Sequence, residues 1–170
     1  MATLRLGPLL HRPKRFGPLL GLVLAGICGV AEPAQAATCT ISAVPIAFGS
    51  YNPVTQAAVN TTATITTTCT SLLVAGSYSI SIGSGQSGTP TARYLLSNSN
   101  RLNYQIYVNA ARTQVAGDGT AGTATVSGSI TPLVGLLVVT RTDTLYATIP
   151  GGQLAAPGTY SDTLILQLTY

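Results

Sequence analysis

Residues 158–170 read GTYSDTLILQLTY, a glycine turn running into a strand on which the chain stops. Leu164, Leu166, Leu168 and Tyr170 fall on one face of that strand, and Thr163, Ile165, Gln167 and Thr169 on the other. One side is strongly apolar and the other mixed, as in a strand that covers a core. No turn and no further strand follow, so the expectation is an unpaired edge that some partner must cover.

Working outward, the rest of the chain has the same character. Beyond residue 36, Thr, Ser, Gly, Ala and β-branched residues dominate, while Lys, Glu and Met are absent. That composition predicts an all-β protein. Strands are predicted at 39–46, 58–68, 77–82, 102–108, 123–130, 133–140, 144–149 and 160–168. Turn clusters separate them at 49–53, 83–90, 97–100, 117–122 and 150–152. Tyr78, Ile80 and Ile82 alternate with Ser77, Ser79 and Ser81, the pattern of a half-buried strand. Residues 133–139 are nearly continuously apolar and broken by Gly135, which predicts a buried strand with a bend and the best core candidate. Short strands at this spacing predict a two-sheet antiparallel sandwich, with one domain over 37–170.

The other end carries Arg5, Arg12, Lys14 and Arg15 ahead of an apolar run over 16–31, then Ala34-Gln35-Ala36. This is the pattern of a secretory signal peptide over 1–36, cleaved between Ala36 and Ala37. The run is shorter than the ~20 residues of a spanning helix and is rich in glycine. Cys28 follows Ile27 rather than a small residue, which argues against a lipid anchor. Cleavage removes half of the basic residues and leaves Arg93, Arg101, Arg112 and Arg141 against Asp118, Asp143 and Asp162. The processed chain is thus nearly neutral and holds no basic cluster for nucleic acid.

Two cysteines remain after cleavage, Cys39 and Cys69, and export to an oxidising compartment predicts a disulfide between them. Two cysteines without histidine cannot complete a tetrahedral metal shell, so no metal or other cofactor is expected. His11, the only histidine, lies in the leader, which leaves no Ser-His-Asp or Cys-His arrangement. The three aspartates are unpaired in sequence and read as turn or strand-end residues. An enzyme is therefore not expected, nor a small-molecule substrate. Residues 83–88, GSGQSG, match the literal dinucleotide-binding glycine pattern, but Thr89-Pro90 and more strand follow where a helix should start, so a flexible loop is expected. Asn60-Thr61-Thr62 fits a glycosylation sequon inside a predicted strand and is treated as chance.

The turn Ala156-Pro157-Gly158-Thr159-Tyr160 resembles the tyrosine corner of immunoglobulin-like sandwiches, where a tyrosine bonds back to the upstream backbone as strand F begins. On the motif alone, an ordinary turn with a core tyrosine remains open. If Tyr160 is the corner, the last strand is F, and strand G has no residues left to form it.

Six stretches together resemble the spore coat protein U domain family, which includes subunits of archaic chaperone-usher pili. They are Cys39 with Phe48-Gly49-Ser50-Tyr51, residues 66–70 around Cys69, Leu102-Asn103-Tyr104-Gln105-Ile106-Tyr107, Gly117-Asp118-Gly119-Thr120, Ile149-Pro150-Gly151-Gly152-Gln153, and Gly158-Thr159-Tyr160-Ser161-Asp162-Thr163. The family often has Trp before the Gly-Asp-Gly stretch, where this chain has Ala116. The resemblance implies an immunoglobulin-like sandwich lacking its last strand. A periplasmic chaperone would hold it, and an outer-membrane usher would pass it to neighbouring pilus subunits, whose N-terminal extensions fill the groove. Tyr160, Leu164, Leu166, Leu168 and Tyr170 would form the strand-acceptor edge and groove.

Only Ala37 and Thr38 would precede Cys39 after cleavage, against roughly ten residues for a donor strand at ~3.3 Å each. The processed chain is therefore expected to accept a strand without donating one, as a terminal or tip-proximal subunit. It would be exported through the periplasm to the cell surface, with adhesion or biofilm as its setting. Two alternatives stand beside this: a secreted carbohydrate-binding module using exposed tyrosines such as Tyr51, Tyr94 and Tyr107, and a spore or outer coat component.

Overall fold

The computed structural model describes residues 2–9, 37–70, 75–131 and 138–170. The described residues form eleven strands and one single-turn 3-10 helix at Gly85–Ser87. The strands are β1 (Ala2–Leu9), β2 (Thr38–Ala43), β3 (Ala47–Gly49), β4 (Val59–Thr70), β5 (Gly76–Ile82) and β6 (Tyr94–Ser97). They continue with β7 (Asn100–Asn103), β8 (Gln105–Tyr107), β9 (Val126–Ile130), β10 (Val138–Ile149) and β11 (Tyr160–Thr169). One sheet runs β3-β1-β11-β5-β9, with β6 joined to β11 and to β7, and the other runs β2-β4-β10-β8. The structure is all-β, as composition predicts, and its two sheets form the immunoglobulin-like sandwich that the family resemblance implies.

Several boundaries differ from the sequence reading. The predicted strand at 102–108 divides into β7 and β8, because Tyr104 between them turns its backbone N–H to Arg93 rather than to a ladder partner. The two strands predicted around 140 are one, since β10 pairs with β4 continuously from Val138 to Ile149. The apolar stretch proposed as the best core candidate, 133–139, lies outside the described residues up to position 137, and Val138 is half-exposed. The leader's apolar run and Ala36 also lie outside them, whereas Ala37 is described.

The core lies between the sheets. Ile80, Ile82, Leu164 and Leu166 from one sheet and Ile65, Leu145, Ala147 and Ile149 from the other are all buried. They are the inward members of period-2 strands, which is why β11 alternates buried and exposed through Leu168. Two covalent or polar links reinforce this packing. Cys39 and Cys69 are register partners on β2 and β4 and form the disulfide expected from the sequence. Tyr78 on β5 donates a 2.5 Å hydrogen bond to the carboxylate of Asp143 on β10, joining the sheets. Its ring packs so close to the backbone that a β-carbon at Gly128 would lie 2.6 Å from the Tyr78 hydroxyl, so only glycine fits there.

Two measurements test these links. The disulfide closes a loop across a separation of 30 residues, so its reduction is expected to cost about 3–4 kcal/mol and lower the melting temperature well beyond scatter. Unchanged melting with and without reductant would contradict that. Burial, and then the Asp143 bond and charge, push the Tyr78 phenol up to about 12. The folded state therefore favours the neutral phenol. Its stabilising contribution is complete below the ordinary tyrosine value near 10 and lost as pH rises from ~10 to ~12. In urea titrations across that window, Tyr78→Phe is expected to lose stability less steeply than the wild type, with buried Tyr104 accounting for part of the remaining slope.

Candidate strand-acceptor site

The last strand was expected to end as an open edge, and the structure covers it. Residues 2–9, read from sequence only as the basic start of a leader, form β1 and pair in parallel with β11. The ladder runs without interruption from Ala2 opposite Tyr160 to Leu9 opposite Gln167. On its other side β1 meets β3, Ala2 opposite Gly49 and Thr3 opposite Ala47. The groove therefore has two walls, β11 and β3, and the strand between them comes from the chain itself. Sequence reasoning proposed β11 as a wall and did not find β3, because three residues are too few to show a period; the apolar Phe48 between Ala47 and Gly49 was the available signal.

The proposed groove residues are brought together. Tyr160, Leu164, Leu166 and Leu168 are all buried on one face of β11. Tyr170 lies just past the strand, half-buried against the same core. Leu164 and Leu166 are the register partners of Leu6 and Pro8, while Leu168 lies beyond β1 and pairs with Ile80 on β5.

The opposite edge of β11 is closed by the chain in three successive pieces. β5 pairs with its C-terminal half, Gly83 N–H donates to Ile165 O at 2.8 Å, and Leu96 of β6 pairs with Ser161. The turn from 83 to 88, expected as a flexible loop, is bonded to β11 through Gly83 and Gln86. Gly85, at φ 65°, sits where a β-carbon would fall 2.1 Å from the Asp162 carboxylate. The glycine pattern serves close packing on a carboxylate, with no helix behind it.

Asp162 is the polar node of this arrangement and is buried, contrary to the reading of the aspartates as turn or strand-end residues. Its carboxylate accepts from Gln86 N–H at 3.0 Å, from Tyr104 O–H at 2.7 Å and from Thr163 N–H at 2.8 Å. Burial, and then the charge and hydrogen bond of Asp162, push the Tyr104 phenol far above its ordinary value. Arg93 is equally buried; its guanidinium donates to the carbonyls of Ile82, Gly83 and Pro90 and to Gln105 Oε1. Burial lowers the Arg93 pKa, opposed by the charges of Tyr104, Asp162 and Asp118. A buried guanidinium with all five N–H groups bonded and a buried carboxyl that accepts three hydrogen bonds hold the clamp on β11.

Tyr160 forms the tyrosine corner: its hydroxyl donates to Ala156 O at 2.8 Å. The remaining sequence motifs converge on the same end. Gln153 is held by Tyr51 through its backbone, and its amide both accepts from Asn103 N–H at 2.8 Å and donates to Asn103 O at 2.9 Å. Phe48 packs edge-on against Tyr104 with ring centroids 5.7 Å apart. Asp118 accepts from both the N–H and the hydroxyl of Thr120, which hold its carboxyl below the usual range. Ala116 is fully buried in the core where the family often has Trp. The tyrosines considered for glycan stacking are all half-buried; the hydroxyls of Tyr51 and Tyr94 are bonded to Gln153 and Gln86, and Arg101 covers the Tyr94 ring at 4.3 Å.

This network predicts a ranking. Tyr160→Phe loses one hydrogen bond and is expected to cost about 1 kcal/mol, whereas Asp162→Ala leaves three donors facing a vacated acceptor and should cost about 3 kcal/mol or more. Urea unfolding midpoints measure both; equal costs would remove Asp162 from its central place.

Comparison with known proteins agrees with this architecture. A sequence model described as Spore Coat Protein U domain matches residues 27–167. No curated protein matches the chain. Among solved structures, similarity is found to a chain in the crystal structure of the CsuC-CsuE chaperone-tip adhesion subunit pre-assembly complex, from the archaic chaperone-usher Csu pili of Acinetobacter baumannii. The TM-score is 0.51 at 21% identity, over 79% of this chain and 40% of that one. This chain thus corresponds to well under half the length of that structure's chain, and the likeness is one of fold. With the family match extending from residue 27 almost to the end of β11, the chain belongs to the Spore Coat Protein U domain family.

Proposed function

We propose that this protein is an exported structural or adhesive subunit of a chaperone-usher pilus whose β11 edge accepts a strand from another chain. The observation that carries the reading is the eight-residue ladder along the edge of β11, whose inward face buries Leu164 and Leu166. An edge that takes one added strand supplies main-chain hydrogen bonds to any extended segment of the right length, and the inward side chains set its register. Membership of the Spore Coat Protein U domain family supports this, as does the fold likeness to a chaperone–subunit complex.

In this reading residues 1–36 are a signal peptide removed in transit and 37–170 are the domain. A periplasmic chaperone first covers the β11 edge, the outer-membrane usher receives the complex, and a neighbouring subunit then replaces the chaperone at the cell surface. β2 begins at Thr38, so a chain cut after Ala36 enters the sandwich almost at once. Such a chain has no length to donate, which favours a terminal or tip-proximal position. Catalysis has no part in this role.

The expected result of co-expressing residues 1–170 with a periplasmic chaperone of this pilus class is a several-fold gain in soluble exported protein and a 1:1 complex. N-terminal sequencing of that protein should begin at Ala37. A processed monomer that is stable and soluble alone, with no chaperone complex, would overturn the strand-acceptor reading. A start well upstream of Ala37, or self-polymerisation, would overturn the terminal position.

A further inference from the structure

We propose that the cleft between β9 and β10 is a binding site for a neutral glycan. It lies away from the strand-acceptor groove: β9 ends its sheet on the side opposite β3, so a strand on β11 leaves this edge open. The cleft has a volume of about 510 Å³ and forms where residues 125–127, 142–144 and the 108–114 turn meet. That is the size of a small-ligand site, but the lining is unusual for one. Gln114, Thr125, Ser127 and Asp143 make it mainly polar, with Val108 and Tyr146 as its apolar part. Among the described residues, the side chains of Gln114, Thr125 and Ser127 make no hydrogen bond. An apolar ligand would strip these groups of water and replace nothing, whereas a polyhydroxylated one restores their bonds. A sugar ring also has a C–H face that can rest on Val108 and the Tyr146 ring.

The site is built before a ligand arrives. Its rim is a closed turn: Val108 N–H donates to Gln114 O at 3.1 Å, and Arg112 N–H donates to Asn109 O at 3.0 Å. The Asn109 amide oxygen accepts from the N–H groups of Thr113 and Gln114. On the opposite wall Tyr78 donates to Asp143 Oδ2 and fixes that carboxylate, leaving Oδ1 for a ligand hydroxyl. Binding therefore has little to order. Charge favours a ligand without any of its own. Asp143 stands beside Arg141, whose charge reaches Tyr78, while Arg112 lies over the Tyr146 ring at 5.9 Å. Opposite charges meet around the cleft, and neither an anion nor a cation gains from both.

Binding of the full chain to an array of neutral and acidic glycans, followed by calorimetry on the best neutral one, tests this. The expected outcome is binding to a glycan of neutral hexoses or N-acetylhexosamines. Gln114→Ala and Ser127→Ala should each weaken that binding by about five- to tenfold, and Asp143→Asn by about tenfold or more. Thr40→Ala, on β2 at the far edge of the β10 sheet, should bind as the wild type does. Should Asp143→Asn fail to fold, Gln114→Ala and Ser127→Ala carry the test, since both residues are exposed. Binding to no neutral glycan, binding to acidic glycans alone, or affinity unchanged in both exposed-residue variants overturns the site. None of these failures touches the strand-acceptor reading, which concerns the other edge of the sheet.

Discussion

A β-strand with one face buried is held in place by the core and still has two backbone edges to satisfy. β11 contributes Tyr160, Asp162, Leu164, Leu166 and Leu168 to the interior, so its position is fixed by the core and cannot relax to satisfy its backbone in another way. Each N–H and C=O on its free edge then needs water or another strand. The clamp of β5, the 83–88 turn and β6 occupies most of one edge. The other edge is held in the structure by residues from the far end of the chain.

Much of the fold's polar apparatus can be understood as support for that strand. The tyrosine corner fixes where β11 starts, through the bond from Tyr160 to Ala156. Asp162 then fixes the clamp, gathering a backbone N–H from the 83–88 turn and a hydroxyl from the β7–β8 junction at one carboxylate. Arg93 gathers the carbonyls that end β5 and the turn. Burying both charges is costly, and replacement of either by an apolar residue would leave donors or acceptors stranded in the core. The arrangement closes one edge of β11 with β5, the 83–88 turn and β6, while the opposite edge is paired by residues 2–9.

The sequence made some of this readable and hid the rest for physical reasons. Alternation over residues 163–170 correctly places the buried leucines, because a period of two is unambiguous over eight residues. The Cys39–Cys69 pairing is legible because only two cysteines lie beyond residue 36. β3 and β6 are not legible: three or four residues carry no period, and their strand state is imposed by neighbours. Asp162 is misread because a lone aspartate in a strand looks like an end residue until the third dimension brings Gln86 and Tyr104 to it. Residues 2–9 satisfy two patterns at once, a basic leader start and a short alternating strand, and only their pairing with β11 reveals the second.

The direction of β1 follows from the same constraint. A strand G joined to F by a hairpin must run antiparallel to it, because a short turn can only reverse the chain. A strand arriving from a distant terminus through a long connection has no such restriction, and here it runs parallel. What the β11 edge requires is therefore an extended segment with alternating side chains and free backbone groups, and not a particular covalent neighbour. The β11 edge offers the same row of hydrogen bonds to any extended segment that meets those requirements, whatever its covalent connection.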